Sequence, residues 1–540
     1  MLRKNDIYPV TITGYSAEGM GVCRVAGQVV FVAGALAGER ADVRIVKALK
    51  QLAYGRIERL IEASPHRIAP DCPYFKQCGG CALRHMDYEE ELRFKAERIR
   101  DALTRVGGVD PGKVSVLGAE ETDGYRNKAL FPVGAADGAP VAGFYRARSH
   151  EVVPVERCRL QAAHADAAKN AILDWMKRSG VSVYDERLHE GLVRHLYVRS
   201  AFGTGQVLVC VVVNGKTLPD EDGLVAAIRK AVPEVSSVVL AVNEQRTNAV
   251  LGAEYRTLWG ADAIEDTLCD LRFRLSPRSF YQVNRAQAQR LYAIARKKAA
   301  LTKDDTALDL YCGTGTISLV LARDAGAVVG VEVIPAAIED AKENAARNGI
   351  KNARFFCADA GEAAARLAKE GVRPAAVVVD PPRKGLSPDV IDAIAAMSPD
   401  RVVYVSCDPG TLARDVKLLT EHGYAFVSAE GVDLFPKTPH VETVCLLVRR
   451  NSLHIDIDVD VEEMLQEKRG QATYPQIKEY VLEHSGLKVS NLHIAQVKQK
   501  CGIIERENYN KPKSEDTKQP QCPPEKEKAI VEALKHFGMI

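Results

Sequence analysis

Apolar and polar positions alternate through the first sixty residues of this chain. Residues 8–13, 21–24, 29–32, 41–46 and 54–58 each read as a short strand, with Gly and Ala-Gly turns between them. Five strands in so short a stretch predict a small closed β-barrel of the OB-like kind, because closure leaves no open edge. Residues 89–106 change to a helical period, with Leu92, Phe94, Ile99, Leu103 and Val106 at the apolar positions. Residues 160–270 mix helix and strand, and 193–199 with 206–213 predict a hairpin pair around Gly203-Thr204-Gly205. From about 285 to 450 helices alternate with apolar strands at 306–310, 328–332, 353–358, 375–380 and 401–406, the pattern of a doubly wound parallel sheet. Segments 425–434 and 441–448 read as an antiparallel pair that closes it.

The last ninety residues have another character. An alternating run at 455–461 is followed by two predicted helices, 474–485 and 492–500, a polar Pro/Lys/Glu stretch at 508–526, and a final short helix. This pattern assigns them no chemistry. The expected organisation is a multidomain α/β chain: a barrel at 1–60, a central α+β region at 61–270, a doubly wound domain at 271–450 and an extension at 451–540.

Composition narrows the function classes. The 540 residues are 46% hydrophobic and 27% charged, a globular balance. No apolar run reaches the ~18 residues that span a bilayer. The first residues, Met1-Leu2-Arg3-Lys4-Asn5-Asp6, lack the apolar core of a secretory signal, so a cytoplasmic protein is expected. Lys plus Arg (73) nearly equals Asp plus Glu (71) over the whole chain. In residues 1–60, however, nine bases face five acids, a local net charge of +4 in a chain of +2. A basic barrel is the expected grip on RNA phosphates.

The turn Asp309-Leu310-Tyr311-Cys312-Gly313-Thr314-Gly315 carries an apolar strand into a helix. Gly313 and Gly315 let the backbone pass close to a ligand at which the helix amides point. Glu332 ends the next strand, seventeen residues beyond Gly315, where a carboxylate can hold two ribose hydroxyls. Ser318 stands where a dinucleotide fingerprint has its third glycine, and Asp309 precedes the turn. Both features favour S-adenosylmethionine over NAD. Three later strands end in polar clusters: Asp359; Asp380-Pro381-Pro382-Arg383; and Ser406-Cys407-Asp408-Pro409. Asp359 is a candidate contact on the adenine side.

Cys407 lies between a strand end and a predicted helix start. That position is expected to lower a thiol's pKa. A thiolate beside a methyl donor suits one problem well. C5 of uracil is a poor nucleophile, and addition of a thiolate at C6 makes the ring an enolate whose C5 accepts a methyl group. The C5 proton must then leave to a base. Glu442, in His440-Val441-Glu442-Thr443, is the candidate, with His440 the lesser one.

Thirteen cysteines, an odd count, argue against a disulfide framework. Cys72, Cys78 and Cys81 form a C-x5-C-x2-C run, and Cys158 supplies a fourth thiol downstream. Four thiolates can close either a zinc site or an iron–sulfur cluster. Gly79-Gly80 is expected to let the backbone bend tightly between two ligands.

With these residues in place, the chain resembles the RNA uracil-C5 methyltransferases, their 23S rRNA branch in particular. The motifs that carry the resemblance are Ser279-Phe280-Tyr281-Gln282-Val283-Asn284, the Asp309 turn, Asp380-Pro381-Pro382-Arg383, Ser406-Cys407-Asp408-Pro409 and His440-Val441-Glu442-Thr443. Upstream, the barrel resembles a TRAM domain. The resemblance implies Cys407 as nucleophile and Glu442 as proton acceptor. It implies S-adenosylmethionine contacts at Gln282, Tyr311, Glu332 and Asp380, near Gly313 and Asp359. It places Asp380 at the uracil edge, Phe280 against a flipped base, and a [4Fe-4S] cluster on Cys72, Cys78, Cys81 and Cys158. The implied partner is RNA, 23S rRNA before tRNA, with no DNA and no membrane, and the enzyme is expected to be a monomer. The barrel and cluster favour rRNA because the tRNA branch generally lacks both. A non-catalytic RNA-binding assembly factor is the remaining alternative, and it would need none of Cys407, Glu442, Gln282 and Asp380.

Overall fold

The computed structural model describes residues 2–247, 249–252, 254–450, 474–501, 522–537 and 539. The chain forms two compact units, 1–453 and 454–540.

The first unit opens with six strands where the sequence pattern predicts five: β1 (Ile7–Thr11), β2 (Gly14–Tyr15), β3 (Gly21–Val25), β4 (Gln28–Ala33), β5 (Arg40–Ala48) and β6 (Leu52–Glu62). The extra strand arises because the run 8–13 breaks at Ile12, which turns into the barrel core. β1 pairs with β5, and β2 pairs with β3. The Thr13 amide also donates to the Val22 carbonyl at 2.7 Å, so one bent strand joins both ends of the sheet order β1-β5-β6-β4-β3-β2. Cys23, Val30, Val32, Val43 and Ile45 fill the interior.

Helix α1 (Tyr88–Arg105) starts on the carboxylate of Asp87, which accepts the Glu90 amide at 2.8 Å. It begins and ends one residue earlier than the periodicity predicts. Val106 therefore lies past its end and is exposed. β7 (Val116–Leu117) follows. Seven strands and two helices form the central region: β8 (Lys128–Ala136), β9 (Ala139–Tyr145), β10 (Val152–Pro154), α2 (Ala163–Arg178), β11 (Val193–Ser200), β12 (Val207–Val213), α3 (Glu221–Ala231), β13 (Val235–Val242) and β14 (Glu254–Gly260), in sheet order β10-β9-β8-β11-β12-β13-β14. β11 and β12 are the expected antiparallel pair. β12 is buried along its whole length, so both of its faces carry Val, Leu or Cys. One face packs on α2 and α3; the other shares a core with the next domain.

The hairpin β15 (Ile264–Leu268) and β16 (Leu271–Leu275) leads to α4 (Arg285–Ala299). Then come β17 (Thr306–Leu310), α5 (Thr316–Leu321), β18 (Ala327–Glu332), α6 (Pro335–Arg347), β19 (Ala353–Cys357), α7 (Ala360–Lys369), β20 (Ala376–Val379), α8 (Pro388–Met397), β21 (Arg401–Ser406), α9 (Pro409–Glu421), β22 (Tyr424–Val432) and β23 (Glu442–Arg449). The sheet order is β19-β18-β17-β20-β21-β23-β22-β7. Its first five strands are parallel, and β23 is antiparallel to both neighbours. Alternation decides the layers. Ala307, Val378, Val403 and Val405 face α4 and α5, whereas Leu308, Leu310, Val377, Val379 and Tyr404 face α1, α8 and α9. Each fully buried aliphatic side chain contributes about 1.5–3 kcal/mol, and both faces of the sheet are covered. The doubly wound expectation is met. No helix among the described residues is long and apolar enough to cross a membrane.

The second unit contains α10 (Tyr474–Ser485), α11 (Asn491–Lys500) and α12 (Pro524–His536) around Ile477, Val481, Ile494, Val497, Ile530 and Leu534. The alternating run 455–461 and the part of the polar stretch at 508–521 lie outside the described residues.

Candidate active site

Strand register brings the central pair together. Ser406, the last residue of β21, is opposite Thr443 of β23; Cys407 and Glu442 each lie one residue beyond that last pair, near enough for Glu442 to act on the thiol. Asp380 follows β20, the parallel neighbour of β21, and completes the group at the carboxyl edge of the sheet. The loop after Asp380 is pinned from α9. The carboxylate of Asp415 accepts the Leu386 amide at 2.8 Å and the Tyr404 hydroxyl at 2.7 Å, and Arg414 donates to the Lys384 carbonyl at 2.9 Å.

Burial raises all three groups. Burial, then the charge of Asp380, pushes the Glu442 carboxyl up to about 8, with Arg383 opposing. Burial pushes Asp380 up to about 7. The Cys407 thiol is pushed up to about 11, first by burial and then by Glu442 and Asp380. The expected lowering by the α9 N-terminus is thus overturned. The physical reason is burial beside two carboxyl groups, and the helix start is already capped. Asp408 accepts the Gly410 amide at 2.9 Å and the Thr411 amide at 3.0 Å, so the helix amides are already satisfied by a carboxylate. His440 is a poor base here. Burial and the charges of Arg383, Arg98, Lys95 and Arg126 hold it down to about 4.

The glycine turn divides its labour differently from the sequence expectation. Gly313, at φ +54°, would place an added Cβ in open space. Gly315, at φ +82°, would drive one to within 3.1–3.2 Å of Ala341 and Phe355, so it serves packing of the turn on α6 and β19. Tyr311 also takes a left-handed conformation, φ +68°, which costs on the order of 1 kcal/mol in a non-glycine residue. The Glu332 carboxylate accepts the Gly313 amide at 3.2 Å and the Ile334 amide at 3.0 Å, which fixes it beside the turn. Asp359 caps α7 through the Gly361 amide at 2.9 Å. Buried Asp309 is pushed up to about 7, accepts the Ser318 hydroxyl and keeps one oxygen, Oδ1, without a partner.

Phe280 is 62% exposed, an unusual position for a phenyl ring in a folded chain. Its neighbours are held firmly. Arg199 donates to the Ser279 carbonyl at 2.8 Å, and Asn127 donates to the Gln282 carbonyl at 2.8 Å. Lys128 sits opposite Arg199 in the sheet. Burial, Arg199 and Arg126 hold its ammonium down to about 8. Periodicity does not single out this group of Arg126, Lys128 and Arg199. The signal within reach was the basic run Arg126-Asn127-Lys128 at the head of a strand.

The four thiols expected to hold a cluster gather elsewhere in the unit. Cys72, Cys78, Cys81 and Cys158 line one cavity of about 90 Å³, together with Phe75, Arg84 and Arg126. The loops rest on few backbone bonds, such as Gly79 amide to Tyr145 carbonyl at 3.0 Å. An added Cβ on Gly79 would come within 3.0 Å of the Tyr145 oxygen, and neither Gly79 nor Gly80 has a positive φ. Close approach of two chains, rather than a tight left-handed bend, is what Gly79 allows. Among the described residues no group of three or more His, Cys, Asp or Glu side chains is placed to hold a metal ion. Arg84 Nε and Arg126 Nε, both buried, have no partner.

Comparison with known proteins gives the same picture. Residues 87–450 match the family model described as tRNA (uracil-5-)-methyltransferase, and residues 2–57 match the TRAM domain. An uncharacterized RNA methyltransferase of Halalkalibacterium halodurans is 43% identical over 451 residues, covering 83% of this chain and 98% of that protein. One from Caldanaerobacter subterraneus is 42% identical over 448 residues, 83% of this chain and 99% of its own length. Among solved structures, the Pyrococcus abyssi tRNA (uracil-54, C5)-methyltransferase, in complex with S-adenosyl-L-homocysteine, aligns with a TM-score of 0.66 at 26% identity, over 82% of this chain and all of that one. The chain therefore belongs to the tRNA (uracil-5-)-methyltransferase family: it is an S-adenosylmethionine-dependent RNA uracil-C5 methyltransferase with a TRAM domain at its N-terminal end.

Proposed function

We propose that the protein methylates C5 of a uridine in 23S rRNA, with Cys407 as nucleophile and Glu442 as proton acceptor. The observation that supports this reading is the β21–β23 register, whose last pair, Ser406 with Thr443, lies next to a thiol and a buried carboxyl at the edge where ligands of open sheets bind. The uracil leaves its stack at a cost of a few kcal/mol, offset in part by the face of Phe280 and by Asp380 at the base edge. The Cys407 thiol gives its proton to solvent and the resulting thiolate bonds to C6. The displaced π electrons make C5 nucleophilic, and C5 takes the methyl group from the sulfonium, releasing S-adenosylhomocysteine. Glu442 then removes the C5 proton. The freed electron pair re-forms the C5–C6 double bond and expels the Cys407 thiolate. No net electrons move.

Gln282, Tyr311, Gly313, Glu332, Asp359 and Asp380 would hold the donor, Glu332 through the ribose hydroxyls. Buried Arg199 holds the Ser279 carbonyl next to Phe280, and the half-buried Lys128 opposite it in the sheet would meet a backbone phosphate of the RNA. Cys72, Cys78, Cys81 and Cys158 would hold a [4Fe-4S] cluster. A group larger than one ion suits thiols that share a cavity without converging on a point, and the unpartnered Nε atoms of Arg84 and Arg126 suit an anionic occupant. The cluster would brace the loops and takes part in no step above. A cytoplasmic monomer completes the reading.

One observation favours a second substrate. The Pyrococcus abyssi tRNA enzyme aligns over 82% of this chain, more than residues 87–450 alone supply. Architecture beyond the methyltransferase region is thus shared with an enzyme named for tRNA. Incubating separate rRNA and tRNA pools with methyl-labelled donor decides. Label in rRNA, lost in Cys407→Ala, is expected; label in tRNA alone transfers the assignment to tRNA.

A further inference from the structure

Segment 433–441 leads directly into Glu442, and its shape is set by α1 and by the loop that follows Cys81. Lys95 of α1 has no exposed surface, and neither do Glu91 and Asp433. Its ammonium donates to Glu91 Oε1 and to Asp433 Oδ1, each at 2.7 Å, and to the Phe435 carbonyl at 3.3 Å. Asp433 also accepts the Tyr88 hydroxyl at 2.9 Å and the Phe435 amide at 3.1 Å. Glu91 accepts the Lys437 amide at 2.7 Å, and the Lys437 ammonium lies 3.8 Å from its other oxygen. Two ammonium groups and two carboxylates thus balance inside the fold. Farther along, Tyr125 donates to the Pro436 carbonyl at 3.1 Å and Arg98 donates to the Pro439 carbonyl at 2.7 Å. Lys437 is left-handed, φ +68°, and its carbonyl accepts both the Ala82 and the Leu83 amides, at 3.0 and 3.2 Å. The backbone just after Cys81 is therefore seated on the same segment.

A buried ion cluster is a poor source of stability, because desolvation offsets its attraction; its geometry is its use. We propose that Lys95 is a positioning residue for proton abstraction. It locks Asp433 and Glu91 so that segment 433–441 presents the Glu442 carboxylate to C5. This rests on the reading of Glu442 as proton acceptor.

The test separates two halves of the reaction in the full-length enzyme. RNA carrying 5-fluorouridine captures the enzyme after sulfur addition and methyl transfer, because no base can remove fluorine as a cation. RNA carrying tritium at uracil C5 releases it only when the proton is taken. Lys95→Met should leave the rate of covalent capture within about twofold and lower tritium release at least tenfold, and Lys95→Arg should recover part of the loss. Equal loss of capture and release, or no loss of either, overturns the proposal. If Lys95→Met does not fold, Tyr88→Phe removes one bond to Asp433 and no charge, and it should slow release two- to threefold with capture intact. Unchanged release in Tyr88→Phe and Asp433→Asn would then overturn it. Glu442→Gln is the control: release that survives in it defeats the reading of Glu442 itself, whereas release lost there but kept in the Lys95 variants defeats only the positioning role.

Discussion

Two groups of cysteine-bearing residues in this chain are built on opposite principles. Cys407 and Glu442 each lie next to the last pair of the β21–β23 ladder, Ser406 with Thr443, which brings them near each other with no ligand required. Cys72, Cys78, Cys81 and Cys158 sit on loops that share a cavity but no regular pairing, apart from an isolated bridge between Cys78 and Arg146. A site on a sheet edge is preorganised by the fold. A site on loops draws its geometry from whatever its ligands close around. The first should lose chemistry on mutation and keep its fold; the second should do the reverse.

The largest effect expected from that contrast is Cys407→Ala, which should cut methyl transfer by on the order of 10⁴-fold or more. Circular dichroism and melting temperature should stay unchanged, and a matching loss of fold would erase the distinction. Glu442→Gln should cost about 10²–10⁴-fold in turnover. It should also raise the melting temperature by roughly 1–3 °C at pH 8, because the buried charge is removed; scanning calorimetry measures it. Cys78→Ser should work the other way. Iron and sulfide content and brown colour should disappear, with a stability loss of roughly 3 kcal/mol or more. A colourless variant of native stability and activity would leave the loop site without a structural part.

The pH profile sharpens the sheet-edge side. A carboxyl raised to about 8 keeps its proton through the neutral range and becomes a base only as pH climbs past that value. kcat/KM should therefore rise toward the alkaline side between about pH 7 and 8, up to about tenfold per unit. A flat profile there would mean that bound RNA resets the carboxyl. Smallest is Lys128→Ala, which should weaken RNA binding a few-fold and reduce the salt slope by about 1, read by titration at several ionic strengths.

How much of this was legible in the sequence follows from where the information lies. The parallel sheet was readable because each strand is an apolar run closed by a polar cluster, as at Asp380 and Cys407. The approach of Cys407 and Glu442 was not readable in the same way: 441–448 was expected to pair with 425–434, and its second pairing, with β21, is set by the sheet order. The acidity of Cys407 was misread because a helix start was visible, whereas its burial beside Glu442 and Asp380 exists only in the folded sheet. Barrel closure was half-legible: the strands were visible, but the break at Ile12 that lets β1 and β2 serve opposite neighbours was not. Lys95 and Glu91 form a visible i, i+4 pair on α1, yet their partner Asp433 lies 338 positions from Lys95 along the chain, and no local pattern joins them. Within the tail the helices at 474–485 and 491–500 were foreseen nearly to the residue.

The strand ladder that brings Cys407 and Glu442 near each other also dictates where the chain tolerates insertions. Side chains on a strand switch sides at every step, so one residue gained or lost within β23 would aim its carboxyl at the opposite layer and abolish catalysis while the hydrophobic count stayed nearly the same. The same change in the turn at Ala26-Gly27, between β3 and β4, would be absorbed. Length variation among related chains should accordingly fall between the strands and spare Glu442–Arg449.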